Sequence, residues 1–454
     1  MKQSFLLLLF LSAIFPLIAQ TAVNMQFQIN GLNAGDSVLL AYYFGEKQYV
    51  KDTAKADAKG KLHFSYNEPL DQGMYMLVFP ADANKFVEFI VDADQQFEMT
   101  AKKSNLVETA TFKGSEENTL FYSYLRKINA FKAEADGADS LKTLAVDASY
   151  KAFKKDLISK HPKSFTAKLL AFQDRPEIPE SMSDKKQIFY YYRSHFFDGK
   201  DFSFTPITRT PSYHSLLNEY LENLTVQSPD SLIVSCDLLL SKVKQNKELF
   251  KYTLITLTNK YAASKTICFD NIYVHLVDQY YLSGRAFWLN NDVKEDQQTL
   301  QRMKERVDRL RHIQCGKPVV DFTLQDEKGE KHSLYEVESP LTLLMFWSTD
   351  CQHCEQEIKK MNNLEPLLKR KGVTFVTVAD GTNKELWMKK KATFPVKEIL
   401  ALMSTESSVV LSLVENYDIY TTPTFFLLDA DKKLIYKKFM VENLNQILEN
   451  YPDK

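Results

Sequence analysis

"FWSTDCQHCEQE", Phe346–Glu357, sets two cysteines two residues apart, directly after an apolar run. The run, "LTLLMFW" at Leu341–Trp347, has no polar alternation beyond Thr342, as expected of a strand buried on both faces. After the pair, Ile358, Met361, Leu364 and Leu368 recur at helical spacing as far as Gly372, which predicts one helix. Cys351 therefore falls where a buried strand turns into a helix. Unpaired N–H groups and the helix dipole stabilise an anion there. That lowers the pKa of a thiol and raises the fraction of thiolate, the nucleophilic form. Cys354, one turn further on and more covered, suits the resolution of a mixed disulfide. His353, if protonated, adds positive charge near Cys351; otherwise it is an exposed spacer. A zinc site needs a second such pair or added histidines at set spacing, and the chain has neither, so no metal is expected. A purely structural bridge with so short a loop restricts the unfolded chain little. The pair reads as a redox centre.

The text around it is that of an α/β unit. "GKPVVDFTLQDEKGEKHSL" reads as strand, turn and strand, and "VTFVTVAD" as a second buried strand. "PTFFLLDADKKLIYKKF" is a hairpin around a "DADKK" turn. Leu444, Ile447, Leu448 and Tyr451 share one face of a closing helix.

Residues 316–454 resemble a thioredoxin-like domain of the TlpA/ResA type, the exported thiol–disulfide oxidoreductases. The resemblance lies in "GKPVVDFTL", "LMFWSTDCQHC" and "YDIYTTPTFFLLD". It implies a redox-active disulfide between Cys351 and Cys354, and a cis proline at Pro423 facing the pair. It also implies a backbone at Thr422 that pairs with a client peptide, and client contact by Trp347. Glu357 matches an acidic residue that would relay a proton or tune the thiols; an exposed helical glutamate is the alternative. Two positions depart from the pattern. Asp350 replaces a second aromatic, and its carboxylate would oppose the thiolate and offset His353. Lys359 stands where a kinking proline is usual, with Pro366 later. The direction of electron flow is thus open.

Upstream, residues 24–112 contain "MQFQI", "VLLAYY", "KLHFSY", "MYMLVF", "FVEFIV" and "QFEMTA" between turn residues, which predicts a small antiparallel sandwich or barrel. Residues 115–312 carry helical periodicity and predict a helical domain. The "SHFFDGKDFSFTPITRTP" stretch is less regular and brings His195, Asp198 and Asp201 close in sequence. These three form either a metal or catalytic cluster or a buried polar bridge. His275, on an otherwise apolar helix, reads as a core histidine. Both upstream segments resemble modules of unknown function that precede thioredoxin-like domains in envelope proteins of Bacteroidetes.

The first twenty residues, "MKQSFLLLLFLSAIFPLIAQ", have one lysine and an apolar run shorter than the ~20 residues of a membrane span. They read as a signal peptide at residues 1–20, with the remainder exported to the periplasm or cell envelope as a soluble protein. The first cysteine is Cys236, which argues against a lipid anchor. Lysine plus arginine (57) balances aspartate plus glutamate (58), so nothing points to nucleic acid as a partner. Five cysteines in 454 residues are too few for a disulfide-built scaffold and leave at least one unpaired. Cys236 and Cys268 either pair or remain buried free thiols.

The leading functional reading is a multidomain thiol–disulfide oxidoreductase acting on client protein thiols and disulfides. It uses no cofactor, and as a reductant it draws electrons from a membrane donor. The resemblance suggests cytochrome c maturation or disulfide correction as the setting. A peroxiredoxin would need Thr or Ser three residues before the reactive cysteine and Pro seven before; Ser348 meets the first condition and Leu344 fails the second. A binding or scaffold protein with an accessory redox domain is the non-enzymatic alternative.

Overall fold

A computed structural model describes residues 22–361, 364–380, 383–394, 399–404 and 406–453. The expected signal peptide lies outside them. The chain forms two compact units, one running to Leu224 with Gln245–Leu249, the other comprising Thr225–Lys244 and Phe250 onward.

The first unit opens with a β-sandwich. Its strands are β1 (Val23–Asn30), β2 (Ser37–Phe44), β3 (Lys47–Lys55), β4 (Lys61–Tyr66), β5 (Gly73–Phe79), β6 (Lys85–Val91), β7 (Gln96–Lys102) and β8 (Thr111–Lys113), with the single turn α1 (Leu106–Thr109) before the last. They make two four-stranded sheets, ordered β4-β1-β7-β8 and β3-β2-β5-β6. Alternation along β1 turns Val23, Met25, Phe27 and Ile29 inward. Phe27 meets Phe89 of the facing sheet at 5.2 Å between ring centroids, and Phe97 packs beside both. Sequence predicts an antiparallel module, but β1 and β7 run parallel. The direction of pairing between strands far apart in sequence leaves no mark on alternation, which is the same for both. Gly114 has φ +83°, and a side chain there would come within 2.7 Å of the Gln96 carbonyl oxygen.

The helices that follow are α2 (Glu116–Ala135), α3 (Ser140–Lys160), α4 (Phe165–Gln173), α5 (Lys185–His195) and α6 (Pro211–Asn223). Ser115, Asp139, Ser164 and Asp184 cap the first four, each accepting a backbone N–H of the first turn.

The second unit begins with α7 (Pro229–Val243), α8 (Lys247–Ala262, its first residues belonging to the first unit), α9 (Asp270–Leu276) and α10 (Lys294–Arg311). It continues with β9 (Thr323–Gln325), β10 (Lys331–Ser333), β11 (Leu341–Ser348), α11 (Gln352–Lys360), α12 (Glu365–Arg370), β12 (Val373–Asp380), α13 (Lys384–Lys391), β13 (Ile399–Ser404), α14 (Ser407–Tyr417), β14 (Thr424–Asp429), β15 (Leu434–Lys437) and α15 (Val441–Glu449). The seven strands form one sheet, ordered β10-β9-β13-β12-β11-β14-β15. β11 is an interior strand, fifth of the seven, parallel to β12 and antiparallel to β14. Leu343, Met345 and Trp347 feed one apolar layer, and Leu344 and Phe346 the other, so both faces of the strand are covered. Each such fully buried side chain contributes about 1.5–3 kcal/mol. The fold is thioredoxin-like.

The single helix expected from Ile358 to Gly372 is two. α11 ends at Lys360 and α12 starts at Glu365, with Pro366 in its first turn. Proline has no N–H to give a preceding turn, and its fixed φ suits a helix start. The helical spacing of Ile358 to Leu368 carries across the break and hides it.

Cys268 and Cys315 form a disulfide across 47 residues. This corrects both alternatives for Cys268: it neither pairs with Cys236 nor stays free. Cys236 is a buried free thiol, pushed up to about 12 by its burial. Around the disulfide, the Asn271 side chain donates to the Cys315 carbonyl at 2.9 Å and accepts its N–H at 3.2 Å. Lys437 on the edge strand β15 reaches Asp270 and the Ile313 carbonyl, both at 2.5 Å.

Candidate active site

β11 delivers the chain to Ser348, and a short turn leads to Cys351, which is the N-cap of α11. Its backbone is extended (φ −91°, ψ 110°), and its sulfur accepts the Cys354 N–H at 3.1 Å. A thiol here occupies the place usually taken by a serine or aspartate oxygen, where negative charge is stabilised. The Cys351 thiol lies 3.3 Å from the Thr422 carbonyl oxygen, to which it donates. The Thr422–Pro423 bond is cis, and both residues are half-buried. The geometry thus gathers Cys351, Cys354, Thr422 and Pro423 at the end of β11.

The two thiols differ strongly. Burial pushes the Cys351 thiol up, but hydrogen bonds with the Cys354 thiol and with Thr422, and from the N–H groups of Cys354 and His353, outweigh it. The balance lies below the ordinary cysteine range. Cys354 is fully buried, and burial, followed by its hydrogen bond with Cys351, pushes it up to about 12. With the Cys268–Cys315 disulfide intact, alkylation of the reduced Cys351/Cys354 pair by iodoacetamide is therefore expected at Cys351 alone, rising with pH through a midpoint below the ~8.5 of an ordinary cysteine. A midpoint at or above that value would remove the N-cap argument. By linkage, a depressed thiol stabilises the reduced fold above the unfolded thiol's pKa, and this is lost as pH falls through the folded value.

Against this geometry stand the comparisons with known proteins. Residues 315–437 match the AhpC/TSA family, while residues 23–121 and 149–310 match two families described as domains of unknown function. The thiol-disulfide oxidoreductase ResA of Bacillus cereus is 30% identical over 142 residues, which cover 31% of this chain and 79% of the relative. The chain belongs to the ResA-type thiol–disulfide oxidoreductases. The ResA of Geobacillus kaustophilus is 31% identical over 146 residues, 30% of this chain and 78% of the relative. Among solved structures, a domain of a possible thiol-disulfide isomerase from Cytophaga hutchinsonii is 29% identical, covers 30% of this chain and 91% of its own, and has a TM-score of 0.28.

The other residues matched to the ResA pattern are spread around the pair. Trp347 is 2% exposed and packs on Phe394 at 5.1 Å, in the same apolar layer as Cys354. Alternation along β11, whose two faces are both covered, places it in that layer. Glu357 is buried, not exposed. Its carboxylate accepts from Lys360 at 2.5 Å and from the Val441 N–H, at the start of α15, at 3.4 Å. Asp350 and His353 are exposed. Lys360 escaped the sequence reading, although its spacing of three from Glu357 on a helix was available as a signal.

The upstream candidates make local pairs of their own. His195 meets Asp198 at 2.6 Å in an exposed pair, so it is no buried bridge. Asp201 instead accepts from Ser203 at 2.5 Å and Lys168 at 3.2 Å. His275 is half-buried and bonds Asp237 at 2.9 Å, joining α9 to α7. Among the described residues, one group has metal-ligand spacing: Asp326, Glu330 and His332, in the β9–β10 turn. There Asp326 is engaged by the Lys328 and Glu330 N–H groups, the ordinary role of an aspartate in such a turn.

Proposed function

We propose that this protein is exported and reduces disulfides in client proteins of the cell envelope. The observation that carries the reading is the Cys351 sulfur at a helix N-terminus, 3.3 Å from the Thr422 carbonyl beside a cis proline. The Cys351 thiolate attacks one sulfur of a client disulfide. A Cys351–client bond forms and the other client sulfur leaves as a thiolate, taking a proton. Cys354 then loses its proton and attacks the Cys351 sulfur, expelling the second client thiol. Two electrons pass to the client and the pair is left oxidised, so a thiol donor held at the membrane must restore it. Glu357, ion-paired to Lys360 on the same helix, is the candidate to handle the Cys354 proton. Thr422 and Pro423 hold the client backbone. Asp350 sets a carboxylate next to Cys351 in the chain, which weakens the thiolate and favours the reducing direction; His353 opposes it. Export is supported by the apolar N-terminal run. No helix among the described residues is long and apolar enough to cross a membrane. Reduction of cytochrome c cysteines or of misformed disulfides is the setting proposed.

The test is the reduction potential of the pair, from equilibration against thiol buffers and trapping of Cys351 and Cys354. A value near ~−270 mV is expected, as for thioredoxin. A value near ~−120 mV would make the protein an oxidant and overturn the proposed direction.

A further inference from the structure

The loop that carries Thr422 and Pro423, Asp418–Pro423, runs from the end of α14 to β14. It begins at Asp418, a left-handed residue (φ 50°) whose side chain is 12% exposed. Two cations converge on that carboxylate. One is Lys438, itself left-handed (φ 53°), whose side chain also donates to the Asp418 carbonyl at 2.9 Å. The Lys438 backbone N–H donates to the Phe425 carbonyl of β14 at 2.7 Å, which ties the far side of the loop to the sheet. The other cation is Arg309 of α10, with Nε 3.6 Å away. Asp418 is thus gripped from the end of β15 and from α10 at once. The same guanidinium stands 6.0 Å from the ring centroid of Tyr420. Ile419 is buried in the core, whereas Tyr420 is 68% exposed, two residues before Thr422.

We propose that Tyr420 is a client-contact residue, and that Arg309, from the helical segment upstream of the thioredoxin-like fold, is its positioning residue. This rests on the reading of Cys351 as the client-reactive thiol. A client cysteine bonded to Cys351 sits beside Thr422. Two residues of extended chain span about 7 Å, so the residues flanking that cysteine reach the Tyr420 ring. The occupant is an extended client segment with an apolar or aromatic residue near its cysteine, which the exposed ring takes by face or edge packing. Arg309 acts only through the loop: it holds Asp418, where the loop starts, and flanks the ring. Client choice thereby depends on a helix outside the redox fold.

The experiment uses the full chain and insulin as the protein disulfide, with dithiothreitol as electron source. Wild type, Tyr420→Ala, Arg309→Ala, Arg309→Lys and the double alanine variant are compared, with Arg302→Ala as a control on the same helix. KM for insulin is expected to rise about fivefold in Tyr420→Ala and in Arg309→Ala, the effect falling on KM and not on kcat. Arg309→Lys, which keeps the charge on Asp418 but not the planar group beside the ring, is expected to fall between. The double variant is expected to be no worse than Tyr420→Ala alone, because Arg309 works through that residue. An unchanged KM in Tyr420→Ala, or a loss in Arg309→Ala confined to kcat, overturns the proposal. If Arg309→Ala does not fold, Tyr420→Ala and Arg309→Lys decide. A wild-type protein that leaves insulin intact removes the proposed function itself, whereas an active wild type with variants that match it removes this inference alone.

Discussion

Replacing Cys351 by Ser is expected to reduce turnover of a protein disulfide to the uncatalysed background. A serine hydroxyl at the N-cap accepts the same N–H, so the fold is kept, but it is no thiolate and cannot form a mixed disulfide. Cys354→Ser is expected to behave differently. Cys351 is half-exposed and depressed below the ordinary thiol range, while Cys354 is fully buried and raised to about 12. The first attack therefore proceeds and the second cannot, so the client stays covalently attached to Cys351. Non-reducing electrophoresis and peptide mass mapping read this directly. An active Cys351→Ser variant, or client trapped on Cys354 when Cys351 is absent, would reverse the order of attack and remove the mechanism.

Breaking the Cys268–Cys315 disulfide is expected to have a large effect on stability with little on chemistry. Cys268 and Cys315 are 47 residues apart in sequence, and closing a loop of that length removes about 4 kcal/mol worth of unfolded-state freedom. The Cys268→Ser/Cys315→Ser double variant is expected to lower the urea midpoint of the second unit and to steepen its slope, because the unlinked denatured chain exposes more surface. A midpoint equal to wild type would mean that Asn271 and the Lys437–Asp270 pair hold the segment without it. The same bond bears on truncation. A fragment starting at residue 313 keeps Cys315 but loses its partner, and leaves the buried Lys437 without Asp270. Such a fragment is a poor stand-in for the whole protein, because an unpaired buried cation is costly.

The redox site was legible because its signals are local. A buried strand announces itself as a continuous apolar run, and Leu341–Trp347 is one. A cysteine directly after that run has to meet a helix N-terminus, since Ile358 and Met361 show that the chain then coils. The proline at 423 was readable only through family resemblance, as nothing in "YTTPTF" itself says what it faces. The stretch from Lys384 to Tyr417 offers no comparable signal. Its α13 carries three consecutive lysines, and its strand, β13, lies across from β12 at a distance in sequence that no local period reports.

Other readings needed three dimensions for a reason that concerns direction or distance. Trp347 sits beside the cysteines in sequence, yet alternation along β11 turns it into the apolar layer under Cys354. Glu357 lies on a helix face that α15 covers, so its burial depends on a segment more than eighty residues away. Which of Cys236, Cys268 and Cys315 pair is a matter of which backbones approach within disulfide reach, and the Cα atoms of Cys268 and Cys315 stand 5.5 Å apart. The sequence by itself determined that a thiol pair opens a helix after a buried strand, because periodicity and helix termini act over a few residues. Only the tertiary structure decided that the Thr422 carbonyl meets that thiol and that Arg309 of α10 grips its loop, because both contacts join parts of the chain that meet only when the sheet is assembled.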